Sequence, residues 1–416
     1  MPGGAPAATR GFRNVVRALA NRNYRIYAVG NFVSLCGTWL QRIAVGWLAW
    51  QLTRSGAWLG IVAFADLFPT VVLSPFAGTL ADRRDRLALL KVTQSAAMAQ
   101  AIGLAAMTFA GAMTIGWLVA LSLTMGVVNA FNQPARLALI PSLVERAELP
   151  AAVAINSTIF NGARFLGPAA AGAVIAHGSI GLAFALNAAS FVVFLIALHR
   201  VRLIEDETPP AARRGFLSDS LEGYAYVARH PGIGPMIVLL AATSIGSRAY
   251  VELLPGFADA VFGRGAQALA WLTATTGLGA MVGGILMASR GGGAGLTRVV
   301  IANVLLMAVA LLGFTATTSF WVALACVFVA GFSLVINGIG GQTLVQTAVD
   351  STMRGRVMSL YGMIFRGGPA LGVLIMGSAS TRFGLRLPVA CGALLCAGFW
   401  LWARLRRERI AAALES

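Results

Sequence analysis

The chain has 416 residues, 58% of them hydrophobic and 11% charged. A water-soluble domain carries about 25% charged residues, and a soluble core of this size could not hide so much apolar surface, so lipid is the expected solvent. The net charge of +17 does not point to nucleic acid, because most arginines sit in short breaks between apolar runs and form no long basic tract.

A basic start (Arg10, Arg13, Arg17, Arg22, Arg25) leads into an apolar run from Tyr24 to Leu52. That run is too long for the apolar part of a signal peptide and predicts a first spanning helix. A span needs about 20 mostly apolar residues. Eleven more segments qualify: 57–80, 88–111, 114–133, 150–176, 181–203, 233–255, 267–289, 296–315, 319–341, 353–379 and 384–404. With the N-terminus in the cytoplasm, about 24 of the 32 basic residues fall in cytoplasmic segments, and only Arg54, Arg264, Arg382 and Arg386 fall outside. That bias predicts both termini inside. Trp58, Trp117, Trp271 and Trp321 lie near predicted outer ends and read as interfacial anchors.

The longest break, 204–232, begins acidic (Glu205, Asp206, Glu207) and passes Pro209-Pro210 and Arg213-Arg214. Phe216, Leu217, Leu221, Tyr224 and Val227 then recur at helical spacing, with Asp219 and Glu222 placed like a capping box. This predicts an amphipathic helix on the cytoplasmic membrane surface, or else a disordered linker, joining one six-helix half (1–203) to another (233–416). The halves echo each other. Asn161-Gly162-Ala163-Arg164-Phe165-Leu166-Gly167-Pro168 in the fifth span is matched in the eleventh by Phe365-Arg366-Gly367-Gly368-Pro369, with the arginines one position out of register. Two parallel repeats place a substrate site at the midplane between halves. Gly167, Pro168, Gly367, Gly368 and Pro369 are the expected bending points. The cysteines (Cys36, Cys326, Cys391, Cys396) lie in apolar runs without a CxxC pair, and the three histidines are scattered, so neither disulfide nor metal site is expected.

The strongest local motif is Gly78-Thr79-Leu80-Ala81-Asp82-Arg83-Arg84-Asp85-Arg86, between the second and third spans. A positive-inside loop explains its arginines, but not a Gly and an Asp at this spacing. Here the sequence resembles the major facilitator superfamily, whose signature in this loop reads roughly G-x-x-x-D-R-x-G-R-[RK]. The match is at Gly78, Asp82, Arg83 and Arg86; Asp85 and Leu87 depart from it. The counterpart loop, Ser289-Arg290-Gly291-Gly292-Gly293, lacks the acid. The resemblance implies that Asp82 latches the cytoplasmic side shut, against the region of Arg354 and Arg356. Gly167-Pro168-Ala169-Ala170-Ala171-Gly172 looks like the superfamily's export signature G-P-x-x-G-G. Trp39-Leu40-Gln41, Asn132-Gln133-Pro134-Ala135-Arg136 and Asn187-Ala188-Ala189-Ser190-Phe191 extend the likeness to bacterial drug and siderophore exporters of the enterobactin-exporter and macrolide-efflux type. That likeness implies twelve helices in two bundles, export across the bacterial inner membrane, and no substrate in particular. The arginine usual inside the fourth span of such exporters is missing from Met125-Gly126-Val127-Val128-Asn129, and Arg136 reads as a loop anchor.

An ionisable residue inside the bilayer is a functional hypothesis by default. Asp66 and Arg42 are predicted at similar depth in the second and first spans. Two readings stand: a carboxylate that exchanges a proton as it meets and leaves Arg42, or a static pair that fixes packing. Arg248 and Glu252, at i and i+4, are placed to pair near the outer face. Arg42, Arg164 and Arg366 outnumber Asp66 inside the membrane, which favours anionic or amphipathic substrates. Gln41 and Asn161 complete the expected substrate-contacting set. Aromatic residues such as Trp39, Phe64, Phe68, Phe160 and Phe365 are candidates for lining a cavity, though packing explains most of them.

The expected protein is therefore a monomeric secondary exporter of small amphipathic, drug- or siderophore-like molecules. It would work by alternating access with protons as coupling ion, and without a cofactor. The alternative within transport is lipid or lysolipid movement. A membrane enzyme would need a nucleophile or acid–base pair, and no P-loop, GxSxG or paired carboxylates are present. A receptor or scaffold would want a large soluble domain, and the longest loop is too short for one.

Overall fold

A computed structural model describes residues 20–83, 85–146, 148–177, 179–203, 216–290 and 295–415; the side chains of 74–75, 78–79, 81–83, 176–177 and 216–221 fall outside that description. The described residues form helices and connecting turns, without a strand. In lipid no water satisfies backbone N–H and C=O groups, and a helix satisfies them within itself. In order they are α1 (Arg22–Thr53), α2 (Gly56–Arg83), α3 (Arg86–Phe109), α4 (Ile115–Leu139), α5 (Leu149–His177), α6 (Ile180–Arg200), α7 (Phe216–Arg229), α8 (Ile233–Gly246), α9 (Tyr250–Gly256), α10 (Gly265–Arg290), α11 (Leu296–Ala316), α12 (Phe320–Ala348), α13 (Arg354–Phe383), α14 (Arg386–Leu405) and α15 (Arg407–Leu414). Side-chain caps start several of them. Asp85 accepts from the backbone of Leu87 (2.8 Å) and Ala88 (3.2 Å) at α3. Ser179 accepts from Leu182 (3.2 Å) at α6. These oxygens satisfy donors that a first turn leaves open.

Among the described residues, ten segments are long and apolar enough to cross a membrane, counting α8 through Val261 as one. α1 and α5, with 32 and 29 residues, have the length but carry Asn31, Gln41 and Arg42, or Asn156, Asn161 and Arg164, and are not among the ten. The protein is an all-α, multi-pass membrane protein.

Three elements differ from the sequence expectation. The fourth span was expected to stop before Pro134, yet α4 runs through it to Leu139, so Arg136 sits in a helix rather than a loop. A proline costs one backbone bond and a clash; burial of Ala135 and Leu139 among neighbouring helices holds the helix together. The seventh span breaks at Ser247–Ala249 and ends in a π-helical turn, Phe257–Val261. The linker helix forms as α7, and it docks on protein. Val227 is buried in the core formed by α8, α11 and α13, while Tyr224 is exposed. Residues 204–215, including the acidic start and Arg213-Arg214, lie outside the described residues, as do Arg10, Arg13, Arg17 and Gly291 to Gly293.

The chain divides into two compact units: Met1–Ala44 with Val72–Ala211, and Val45–Val71 with Ala212–Ser416. In the first, Tyr24, Tyr27, Leu139, Phe194 and Leu198 form the core at one end. In the second, Met236, Val300, Val345 and Val357 anchor a core that the terminal helix α15 closes with Ile410 and Leu414.

Candidate functional site

In the first unit α1 and α5 lie side by side and run parallel, because their contacts keep a nearly constant sequence offset. The Tyr24 hydroxyl donates to the Ala152 carbonyl (2.7 Å), and Asn31 Nδ2 donates to Asn156 Oδ1 (3.2 Å). Further along, Trp39 meets Arg164 and Gly167. At Gly167 a side chain would overlap Trp39 Cβ and lie 2.9 Å from the Cys36 carbonyl oxygen, so the glycine lets the two backbones approach. α5 continues unbroken through Pro168 to His177.

This seam gathers two of the expected intramembrane arginines around one aromatic ring. The guanidiniums of Arg42 and Arg164 each lie 5.6 Å from the Trp39 ring centroid. Phe160 packs edge-on to the same ring at 6.2 Å. Arg42, Arg164 and Trp39 are half-buried, and Phe160 is exposed. A cation over an indole face gains about 0.5–2 kcal/mol.

The neighbouring polar residues behave differently. Gln41 is buried, donating to Gln100 Oε1 (3.0 Å) and accepting from Asn187 Nδ2 (2.8 Å), while Gln100 donates to the Leu121 carbonyl (3.1 Å). Its amide thus ties α1, α3, α4 and α6 together. Asn161 donates back to the Ser157 carbonyl within α5 (2.9 Å). Arg136, read from sequence as a loop anchor, points into the same unit. It donates from Nη1 to Asn31 Oδ1 (2.7 Å) and lies 5.3 Å from the Phe194 ring.

The second unit holds the remaining candidates. Asp66 lies on α2 between Phe64 and Phe68, which stack on each other at 4.6 Å. Arg42 falls in the first unit and Asp66 in the second. Arg248 sits in the turn after α8 and lies 3.9 Å from the Phe365 ring. Arg366, next to Phe365 on α13, is exposed. α13 runs unbroken through Pro369; Gly368 faces Ser244, and Gly367 faces Val71. Arg356 pairs with Glu222 of α7, and Arg354 is exposed. Arg86 donates to the Ala138 carbonyl (3.3 Å), whereas the side chains of Gly78, Asp82 and Arg83 lie outside the described residues. A cavity of about 570 Å³ opens beside the α1–α2 turn, lined by Trp50, Arg54, Ser380, Phe383 and Arg386. Arg54 pairs with Asp259 there, and Trp50 Nε1 donates to the same carboxylate (2.9 Å).

Outside the spanning segments, the linker helix and the chain end carry shifted groups. The Tyr226 hydroxyl donates to Asp350 Oδ2 (3.0 Å), and burial pushes the phenol up. Burial pushes the His230 imidazole below its ordinary value, with Asp350 opposing. Its Nδ1 accepts from the backbone of Gly232 and Ile233, both at 3.1 Å, at the start of α8. No group of three or more metal-binding side chains occurs among the described residues.

A multi-pass helical chain with arginines inside its long apolar helices has the make-up of a polytopic transporter. The sequence profile of the transmembrane secretion effector family matches residues 15–415, and the chain belongs to that family of major facilitator transporters. It is 24% identical to the staphyloferrin A transporter of Staphylococcus aureus, over 85% of this chain and 89% of that one. It is 24% identical to the enterobactin exporter EntS of Escherichia coli, over 85% and 84%, and 21% identical to macrolide efflux protein A of Streptococcus pyogenes, over 87% and 90%. Among solved structures, a bacterial homologue of the lysosomal transporter Spinster superposes with a TM-score of 0.66 at 16% identity, covering 95% of this chain and 94% of that one. A bacterial homologue of ferroportin gives 0.66 at 16% identity, covering 92% and 98%. These structural likenesses establish the fold.

Proposed function

We propose that this transporter exports small amphipathic, acid-bearing molecules, drug- or siderophore-like, from the cytoplasm of a bacterium across its inner membrane. The observation that carries the reading is Trp39 with the guanidiniums of both Arg42 and Arg164 at its ring. The pair offers positive charge to an acidic group and aromatic surface to an apolar body. A relative named as an enterobactin exporter supports the siderophore-like part of that range, and one named as a macrolide efflux protein supports export of an amphipathic drug without supporting the acid group. Both termini face the cytoplasm, and the two six-helix halves, 1–203 and 233–416 joined through 204–232, alternate access to a midplane site that includes Arg366. Gly78, Asp82, Arg83 and Arg86 close the cytoplasmic side against the start of α13 at Arg354 and Arg356. The Glu222–Arg356 pair gives the linker helix a grip on that point. Asp66 carries the coupled proton and Arg42 is its counter-charge. Inward proton flow drives export, and a monomer suffices.

Uptake of an anionic and a cationic fluorescent dye into inverted vesicles, with and without an inward-acid pH gradient, tests this. The expected result is gradient-dependent accumulation of the anionic dye that Asp66→Asn abolishes and that Arg164→Gln slows. Undiminished gradient-driven uptake in Asp66→Asn would remove Asp66 from the mechanism. Movement of a labelled lipid in the absence of any gradient, with neither dye accumulating, would replace export by lipid transfer.

A further inference from the structure

Arg136 is a cation held by neutral groups. Its Nη1 donates to the amide oxygen of Asn31 (2.7 Å), whose nitrogen passes the contact on to Asn156 (3.2 Å). Its guanidinium lies 5.3 Å from the Phe194 ring. No carboxylate pairs with it among the described residues. Its Nε is buried and has no acceptor. A second orphan shares the place: the hydroxyl of Tyr27, wholly buried, also has no partner, and its ring packs edge-on to the same Phe194 at 5.7 Å. Tyr27 lies within Coulombic reach of the guanidinium. Arg136 and Asn156 are only half-buried, so the cluster reaches the surface of the unit.

Buried donors go unpaired rarely, and an unbalanced cation inside a membrane protein is rarer still. Two orphan donors and an uncompensated charge, converging on one aromatic ring, fit an oxygen acceptor that carries negative charge. We propose that Arg136, Tyr27 and Asn31 form an oxyanion-binding site for a carboxylate, sulfonate or phosphate group. Asn31 and Trp39 are eight residues apart on α1, so the site lies about 12 Å along the helix from the Arg42–Trp39–Arg164 cluster. The acid group of a substrate binds first at Arg136 and then at the paired arginines. This sequence rests on the export reading; the oxyanion site itself does not.

The test uses the full chain in phosphatidylcholine nanodiscs, titrated calorimetrically with naphthalene-1-sulfonate and with its uncharged sulfonamide. Tyr27→Phe is the sharpest variant, because it removes a hydroxyl with no partner and keeps the ring. If the hydroxyl is only structural, its loss is neutral. If it binds the oxyanion, sulfonate binding weakens by about threefold, the scale of one hydrogen bond, and sulfonamide binding holds. Arg136→Gln weakens sulfonate binding by about tenfold or more, and Arg136→Lys restores part of it. Equal changes for both probes in both variants, or none in either, would overturn the site. Adding phosphatidylglycerol separates the two sources of the oxyanion. If it displaces the sulfonate from the wild type but not from Arg136→Gln, the site takes a lipid headgroup; without displacement, it takes the acid of a soluble substrate. Binding is read without a gradient, so failed export with intact discrimination would sink the export reading and leave the site.

Discussion

Replacing Gly167 by alanine would set a methyl group against Trp39 Cβ, 2.9 Å from the Cys36 carbonyl oxygen and 3.3 Å from the Leu40 nitrogen. Two of these obstacles are backbone atoms of α1, so no rotamer change relieves the clash. The helices must separate, by about 0.5–1 Å if each contact is to approach ordinary van der Waals distance. Overpacking of this kind costs about 1–3 kcal/mol. It also moves Trp39 relative to Arg164, so dye transport should fall further than stability alone explains. Gly162 supplies the control on the same helix: a side chain there meets only Phe32 Cε2, at an ordinary 3.7 Å. Thermal unfolding of purified protein should rank the wild type and Gly162→Ala close together, with Gly167→Ala clearly lower. If Gly167→Ala is as stable as Gly162→Ala, α1 and α5 do not approach at this point, and the shared Trp39 site loses its support.

Three further outcomes are expected. Glu415 accepts from the backbone of Gly295 (2.6 Å) and Thr297 (2.7 Å), capping α11 with the chain's end. Burial alone would raise its carboxyl, but the bonds from Thr297 and Gly295, with Arg290 nearby, outweigh it and hold the group below the ordinary value. The cap therefore contributes fully above the unfolded-state value and is lost as pH falls through the lowered folded value. Glu415→Gln should cost at most about 1 kcal/mol and flatten the acid limb of a melting curve. Burial holds the His230 imidazole below the ordinary 6.5, with Asp350 opposing, and the neutral ring caps α8 through Nδ1. Its contribution is complete above 6.5 and declines as pH falls from there toward the lowered folded value, since the unfolded chain then binds the extra proton. Amide protection factors at the start of α8, corrected for the intrinsic exchange rate at each pH, should fall over that range in the wild type and be low at every pH in His230→Ala. In the second unit, a double-mutant cycle on Arg54→Ala and Asp259→Asn should give a coupling of about 0.2–1 kcal/mol, because Arg54 is mostly exposed.

The amino-acid sequence by itself determined the solvent, the all-helical multi-pass class and the family. Apolar runs of crossing length, broken by arginine-rich loops, leave little choice of architecture in lipid, and Gly78 to Arg86 is a local motif that needs no tertiary partner to be read. It also marked Arg42, Arg164 and Asp66, because a charge inside an apolar run stands out. Tertiary structure decided what the arginines lie against. That Arg42 and Arg164 share one indole depends on α1 and α5 lying parallel at a fixed register, which Gly167 allows but does not announce. Gln41 read as a substrate contact because polarity in a span is visible; that it is consumed by Gln100 and Asn187 is visible only once helices pack. Asp85 departed from the family pattern and proved to be the cap of α3. The break at Ser247–Ala249 follows a Gly246-Ser247 pair, a local kink signal that does not stand out among the chain's 48 glycines. Arg136 was misplaced for the opposite reason: Pro134 signalled an end to the helix, and packing around Ala135 and Leu139 carried α4 past it.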